Sequence, residues 1–121
     1  MSHLTMVRTE FKDREILKEV IKKVSLEFRE GGIIRQGQQR TEADFIVKGP
    51  NGSAIGFSWN AKERAFDAHV TGNTHKSFLD AIRTAYAREK VLKEGRRRGF
   101  VLHQEEKLEG KGIRLVLKKV V

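Results

Sequence analysis

The chain contains no cysteine. That absence removes disulfides, thiolate metal ligands and cysteine nucleophiles together, and with them any reading of compartment from redox chemistry. Long apolar runs are missing too, since no window approaches the ~20 consecutive apolar residues of a membrane helix, and no membrane insertion is expected. Met1-Ser2-His3-Leu4-Thr5 leads into an alternating segment rather than into a basic leader followed by an apolar stretch, so no signal peptide is expected. Ser2 stands where N-myristoylation requires glycine. Together these absences point to a cytoplasmic protein.

Chemistry-bearing motifs are equally scarce. Glycines number eleven, yet none forms a G-x-x-x-x-G-K-[ST] loop or a G-x-G-x-x-G turn after a strand, so the backbone cradle for phosphates is missing and no cofactor is expected. None of Ser2, Ser25, Ser53, Ser58 and Ser77 lies in a G-x-S-x-G elbow or an S-x-x-K pattern. The four histidines, His3, His69, His75 and His103, are far apart, and no pair has the i, i+4 spacing of zinc hydrolases. A metal site would require the fold to gather them. Glu105 and Glu106 are neighbours on a strand and so point to opposite faces, which does not suit paired acid and base work. No catalytic or metal-binding residue is assigned. An enzyme would need a site assembled from groups such as His3, Asp44 and His69, which spacing does not reveal.

What the chain does have is positive charge and a core. Its formal net charge is +9, with 34% of residues charged and 38% hydrophobic, including seven phenylalanines. A disordered chain would lack those aromatics and aliphatic runs, and 121 residues suit one domain that folds without staples. A field of this sign concentrates anionic partners and speeds their encounter.

Hydrophobic periodicity supplies the elements. Residues 3–11 alternate, with Thr5, Val7, Thr9 and Phe11 opposite Leu4, Met6 and Arg8, as in a strand. Asp13 caps a helix whose apolar set is Ile16, Leu17, Val20, Ile21 and Val24. The polar stretch Arg29–Arg40 predicts one short strand around Ile33 and Ile34 plus a mobile loop. Phe45 and Val47, then Ile55, Phe57 and Trp59, flank the turn Gly49-Pro50-Asn51-Gly52 and face inward. A further strand carries Phe66, Ala68 and Val70, and Gly72-Asn73-Thr74 stops it and caps a long second helix. Gly95 or Gly99 ends that helix. A last hairpin spans residues 100–108 and 113–120, with Ile113, Leu115 and Leu117 facing in. The expected fold is a single α+β domain over residues 1–121, in the order β-α-β-β-β-β-α-β-β, with both helices on one face of a mostly antiparallel sheet.

The second helix carries the one functional signal. Lys76, Arg83, Lys90 and Arg97 recur every seven residues, nearly two turns, so their charges stack into one stripe with ~10 Å steps. Arg96 and Arg98 thicken its end. Arg35 and Arg40, with Arg29, punctuate the polar loop, and Lys62 and Arg64 sit in a hairpin turn, as basic tips that could join the stripe. The plain structural reading is a solvated flank whose aliphatic stems cover apolar surface. The functional reading is a binding or adaptor protein whose basic face takes an acidic protein partner, with nucleic acid held by its phosphates as the alternative.

Across these segments the chain resembles the family labelled hypothetical chloroplast reading frame thirty-five, small proteins of cyanobacteria, algal plastids and other bacteria. The likeness rests on Met1-Ser2-His3 with Thr5, Thr9, Lys12 and Asp13, on Ala43-Asp44-Phe45-Ile46-Val47 with Ile55-Gly56-Phe57, and on Tyr86-Ala87. Arg97-Arg98-Gly99-Phe100 and Gly112-Ile113-Arg114-Leu115 complete it. The resemblance implies no assigned activity; it suggests an AAA-type ATPase as the partner and the stroma as the compartment of a plastid-encoded member. The chain departs from the family pattern at Asp67-Ala68-His69-Val70-Thr71-Gly72, where an aromatic, tryptophan-containing segment is expected.

Overall fold

The structure is a computed structural model and describes residues 4–71, 75–110 and 112–120. The elements follow the expected α+β order: β1 (Leu4–Arg8), α1 (Arg14–Val24), β2 (Glu27–Gln36), β3 (Gln39–Lys48), β4 (Ala54–Asn60), β5 (Ala65–Thr71), α2 (His75–Arg97), β6 (Phe100–Lys107) and β7 (Ile113–Lys119). The first five strands form one antiparallel sheet in the order β1-β5-β4-β3-β2. Residues 9–11 leave the β1 ladder, although Phe11 is buried in the core. Gly72-Asn73-Thr74, expected to stop β5 and cap α2, and His3 lie outside the described residues.

Both helices cover one face of this sheet. Strand alternation sends Phe45, Val47, Ile55, Phe57, Phe66, Ala68 and Val70 to the same side, where they meet Ile16, Leu17, Val20 and Ile21 of α1 and Phe78, Leu79, Ile82 and Tyr86 of α2. The start of α1 is fixed twice. Asp13 Oδ1 accepts the Ile16 N–H at 3.1 Å, and the Tyr86 hydroxyl of α2 accepts the N–H groups of Lys12 and Asp13 at 3.0 and 2.9 Å. Arg14 lays its guanidinium 5.3 and 5.2 Å from the ring centroids of Phe45 and Phe66, closing the core at its edge.

The polar stretch 29–40 is not a loop with one short strand. It belongs to two ten-residue strands joined through Gly37-Gln38. Gly37 has φ +62°, the left-handed first position that a type II′ turn requires. Hydrophobic alternation is lost here because the hairpin bends midway. Its ladder with β4 covers just Phe45–Lys48. At Asp44 the side chain takes over, Oδ2 accepting the Trp59 N–H at 2.7 Å, while Ser58 Oγ donates to the Glu42 carbonyl at 2.7 Å. Opposite this point, Gly31 and Gly32 have φ +72° and +134°, angles that a side chain resists.

The outer half of the hairpin therefore folds over the sheet face away from the helices. Ile34, Ala43 and Ile46 make a second small core there, with Leu4 and Ala54 against it. Gly56 leaves the room: a Cβ on it would lie 2.9 Å from Ile34 Cγ2 and 3.2 Å from Ala43 Cβ. Gln39 Oε1 accepts the Leu4 N–H at 2.9 Å, so the hairpin beginning at one sheet edge ends on the strand at the other.

The β6–β7 hairpin forms its own two-stranded sheet and packs on α2. Its Ile113, Leu115 and Leu117 are half-buried. Gly99, with φ +82°, ends α2, whereas Gly95 lies within the helix, where a Cβ would meet Leu117 Cδ1 at 2.8 Å. Trp59 keeps its inward parity but is 42% exposed, its ring edge-on to Phe66 at 5.1 Å.

Candidate functional site: the basic face of α2

Helix α2 spans 23 residues, ~34 Å at 1.5 Å per residue, and is supported on two sides. One side is the apolar seam Phe78, Leu79, Ile82 and Tyr86 on the main core. The other lies under the β6–β7 hairpin. There Arg88 grips Glu105 through two bonds of 2.9 Å, Nε to Oε2 and Nη2 to Oε1. That fork raises the Arg88 pKa above its ordinary value, and it lowers the Glu105 carboxyl against a smaller opposing effect of burial.

A strip of α2 remains open between these supports. Lys76, Arg83, Ala87, Lys90, Val91, Glu94 and Arg97 are all exposed along it. The seven-residue spacing thus does produce one solvent-facing row. The row is not uniformly free: Arg83 lies 3.5 Å from Asp80 and Arg97 lies 3.6 Å from Glu94, each an i, i+3 pair. Among the described residues Lys76 and Lys90 have no ion-pair partner. Arg96 and Arg98 are exposed at the helix end, where cations also complement the helix dipole.

One cation reaches this strip from elsewhere. Arg8, at the end of β1, lines with Arg83 and Lys90 a cleft of about 400 Å³ whose other walls include Glu10, Phe11 and Tyr86. Nothing in the spacing of Arg8 announces this; β1 and α2 meet through tertiary packing. Arg8 also pairs with Glu63 at 2.6 Å, which brings the β4–β5 turn carrying Lys62 and Arg64 toward the same end of β1. Arg64 holds φ +55° in that turn.

The structure does not bring Arg35 and Arg40 to the row. They face each other across β2–β3, on the half of the hairpin folded over the opposite face of the sheet. Arg29 lies on the same hairpin.

Among the described residues, His69 and His103 lie on separate sheets and His75 begins α2. His69 is half-buried on β5 opposite Met6 and Gly56, where burial pushes its pKa down against the attraction of Asp67. His103 is exposed at the register slip between Leu102 and Gln104. Asp44 spends its carboxylate on the Trp59 N–H and on Arg14 at 3.5 Å. Among the described residues no cluster of three or more His, Asp or Glu is placed to hold a metal.

Two further depressions border the open strip. One, of about 540 Å³, lies between α2 and the hairpin tip, against Ser77, Ala81, Ala85, Leu108 and Gly112. The other, of about 330 Å³, runs between α2 and β7, lined by Arg83, Thr84, Ala87, Arg88, Val91, Ile113 and Leu115. Sequence patterning missed both, because they arise from the hairpin standing apart from the main sheet. Among the described residues no helix is long and apolar enough to cross a membrane.

Residues 20–116 match the family model described as "Protein of unknown function (DUF1257)". An "Uncharacterized protein ycf35" of Cyanophora paradoxa is 29% identical over 125 residues, covering 98% of both chains. One of Pyropia yezoensis is 25% identical over 129 residues, again with 98% of both covered. That of Trieres chinensis is 24% identical over 116 residues, covering 88% of this chain and 91% of the relative. No solved structure matches.

Proposed function

Because this chain belongs to the DUF1257 family of proteins of unknown function, we propose a role from its own surface: a non-catalytic binding or adaptor protein whose α2 face engages an acidic segment of a partner protein. The observation that carries the reading is the cleft in which Arg8 joins Arg83 and Lys90 on the open strip of α2. Three cations from two elements at one cleft favour a partner carboxylate, and Lys90 meets it without first giving up an internal ion pair. The partner that the family resemblance suggests first is an AAA-type ATPase subunit, met in the cytoplasm, or in the stroma for a plastid-encoded member.

Nucleic acid is the second reading, and one feature weighs against it: Arg35 and Arg40, the basic tips expected to extend a phosphate track, sit across the sheet from the row. The test is titration of nuclease-treated protein with poly-L-glutamate and with labelled duplex DNA and RNA over a range of salt. Binding to poly-glutamate that R83E/K90E/R97E abolishes, in a variant with an unchanged circular dichroism spectrum, is the expected result. Unchanged binding by the folded triple variant would remove the row from the argument. Tight duplex binding whose log K falls with log salt at a slope near about −5, the signature of about six neutralised phosphates, would hand the site to nucleic acid.

A further inference from the structure

We infer that the free edge of β7 is a strand-addition site, where an extended acidic segment of a partner protein pairs with β7 and seats its side chains against α2. The inference rests on the basic-face reading and names the form the partner takes. It starts from the topology: β6 and β7 make a sheet of two strands, so along Ile113–Lys119 the backbone groups that point away from β6 have no ladder partner in a strand among the described residues. Such an edge is a template for a further strand.

The surroundings say which edge and which occupant. The groove of about 330 Å³ between hairpin and helix is lined by Ile113 and Leu115 but by no residue of β6, so it is the β7 edge that opens onto it. Across the groove stand Ala87 and Val91, the latter 45% exposed, with Arg83 and Arg88 on the rim. Apolar side chains on one face of an added strand would lie on Val91 and Ala87. Carboxylates on the other would meet the cations that β7 presents on its side away from α2, Arg114 and Lys118.

A second copy of this chain fits the edge less well. Antiparallel pairing of two β7 strands about Val116 sets Arg114 opposite Lys118 of the other copy, a like-charge contact across the strands. Pairing β7 with the β6 of another copy is a heterologous contact, which builds rings or open filaments and not a closed pair.

The experiment uses the whole chain and an eight-residue peptide alternating valine and glutamate, against the same peptide N-methylated at every backbone amide. Both carry identical charge and side chains, and the second cannot donate to a ladder. We expect the unmethylated peptide to bind at least about tenfold more tightly, the worth of two or three net hydrogen bonds, and to slow hydrogen exchange of β7 amides. Equal affinity of the two peptides, both lost in R83E/K90E/R97E, would overturn strand addition while leaving the basic face in place. No binding of either peptide would sink both readings. Concentration-dependent dimerisation that the unmethylated peptide competes away would assign the edge to a second copy instead.

Discussion

The five-stranded sheet and the β6–β7 hairpin are built from similarly alternating strands, yet they are stabilised in different ways. In the sheet, Phe45, Phe57, Phe66 and Val70 are at most 2% exposed, because two helices close over them. In the hairpin no strand residue is fully buried, and Val101, Leu102 and Leu108 stand 45%, 37% and 46% exposed. The hairpin has one helix for a second layer and leaves its far face in solvent. Alternation makes a strand; a covering layer makes it contribute to the core. The less buried region is also the one that offers a free edge and grooves.

The comparison is broken most directly by truncating one side chain in each region. Phe57→Ala removes a fully buried ring from the centre of the sheet and is expected to cost about 3–5 kcal/mol in urea unfolding. Leu117→Ala removes a half-buried side chain lying on Gly95 and should cost roughly 1 kcal/mol, in line with partial burial. Equal losses would show that the hairpin is as deeply committed to the cooperative unit as the sheet.

Tyr86→Phe comes next. The hydroxyl is the acceptor for both the Lys12 and the Asp13 N–H, so its removal strands two backbone donors at the start of α1. A loss of about 1–3 kcal/mol is expected, with the ring packing on Phe11 at 4.7 Å retained. An unchanged unfolding midpoint would mean that those donors find water instead. The hairpin amides should exchange no faster in this variant beyond its global loss of stability, since the contact joins α1 to α2 and does not touch β6 or β7.

How far the sequence foretold these two regions follows from what each depends on. The apolar spacing of Ile16, Leu17, Val20 and Ile21 and the alternation of Ile55–Phe57 and Phe66–Val70 are local, and they located α1, β4 and β5. Residues 29–40 were misread because β2 and β3 are held there by each other and by a bend at Gly31, Gly32 and Asp44, which places Ile34 and Ala43 on the opposite face from Phe45. Trp59 has the right parity but extends to the rim of the core, a fact about tertiary extent and not about period. The row on α2 was legible because helical geometry alone brings Lys76, Arg83, Lys90 and Arg97 together. The approach of Arg8 to Arg83, and the separation of Arg35 and Arg40 from both, depend on which strands become edges and where the hairpin folds.

The finest test of the comparison is acid, because each region has a carboxylate tied to a cation on α2. Burial raises the Asp13 pKa, but the Lys93 ammonium at 2.8 Å and the Ile16 N–H outweigh it and hold the group below its ordinary 3.8. Arg88 holds Glu105 below its ordinary 4.5. For a depressed acid the unfolded chain takes up protons first, so the stabilisation is complete above the ordinary value and fades as pH falls through the lower folded one. Asp13 caps α1 and ties it to α2, and its loss should appear in the global transition: D13N is expected to flatten the acid limb of urea unfolding. Glu105 joins only the hairpin to α2, so E105Q should leave that limb in place and instead speed β6 and β7 amide exchange at neutral pH. If E105Q flattens the global acid limb as D13N does, the hairpin unfolds with the sheet, and its free edge is as firmly held as the strands of the core.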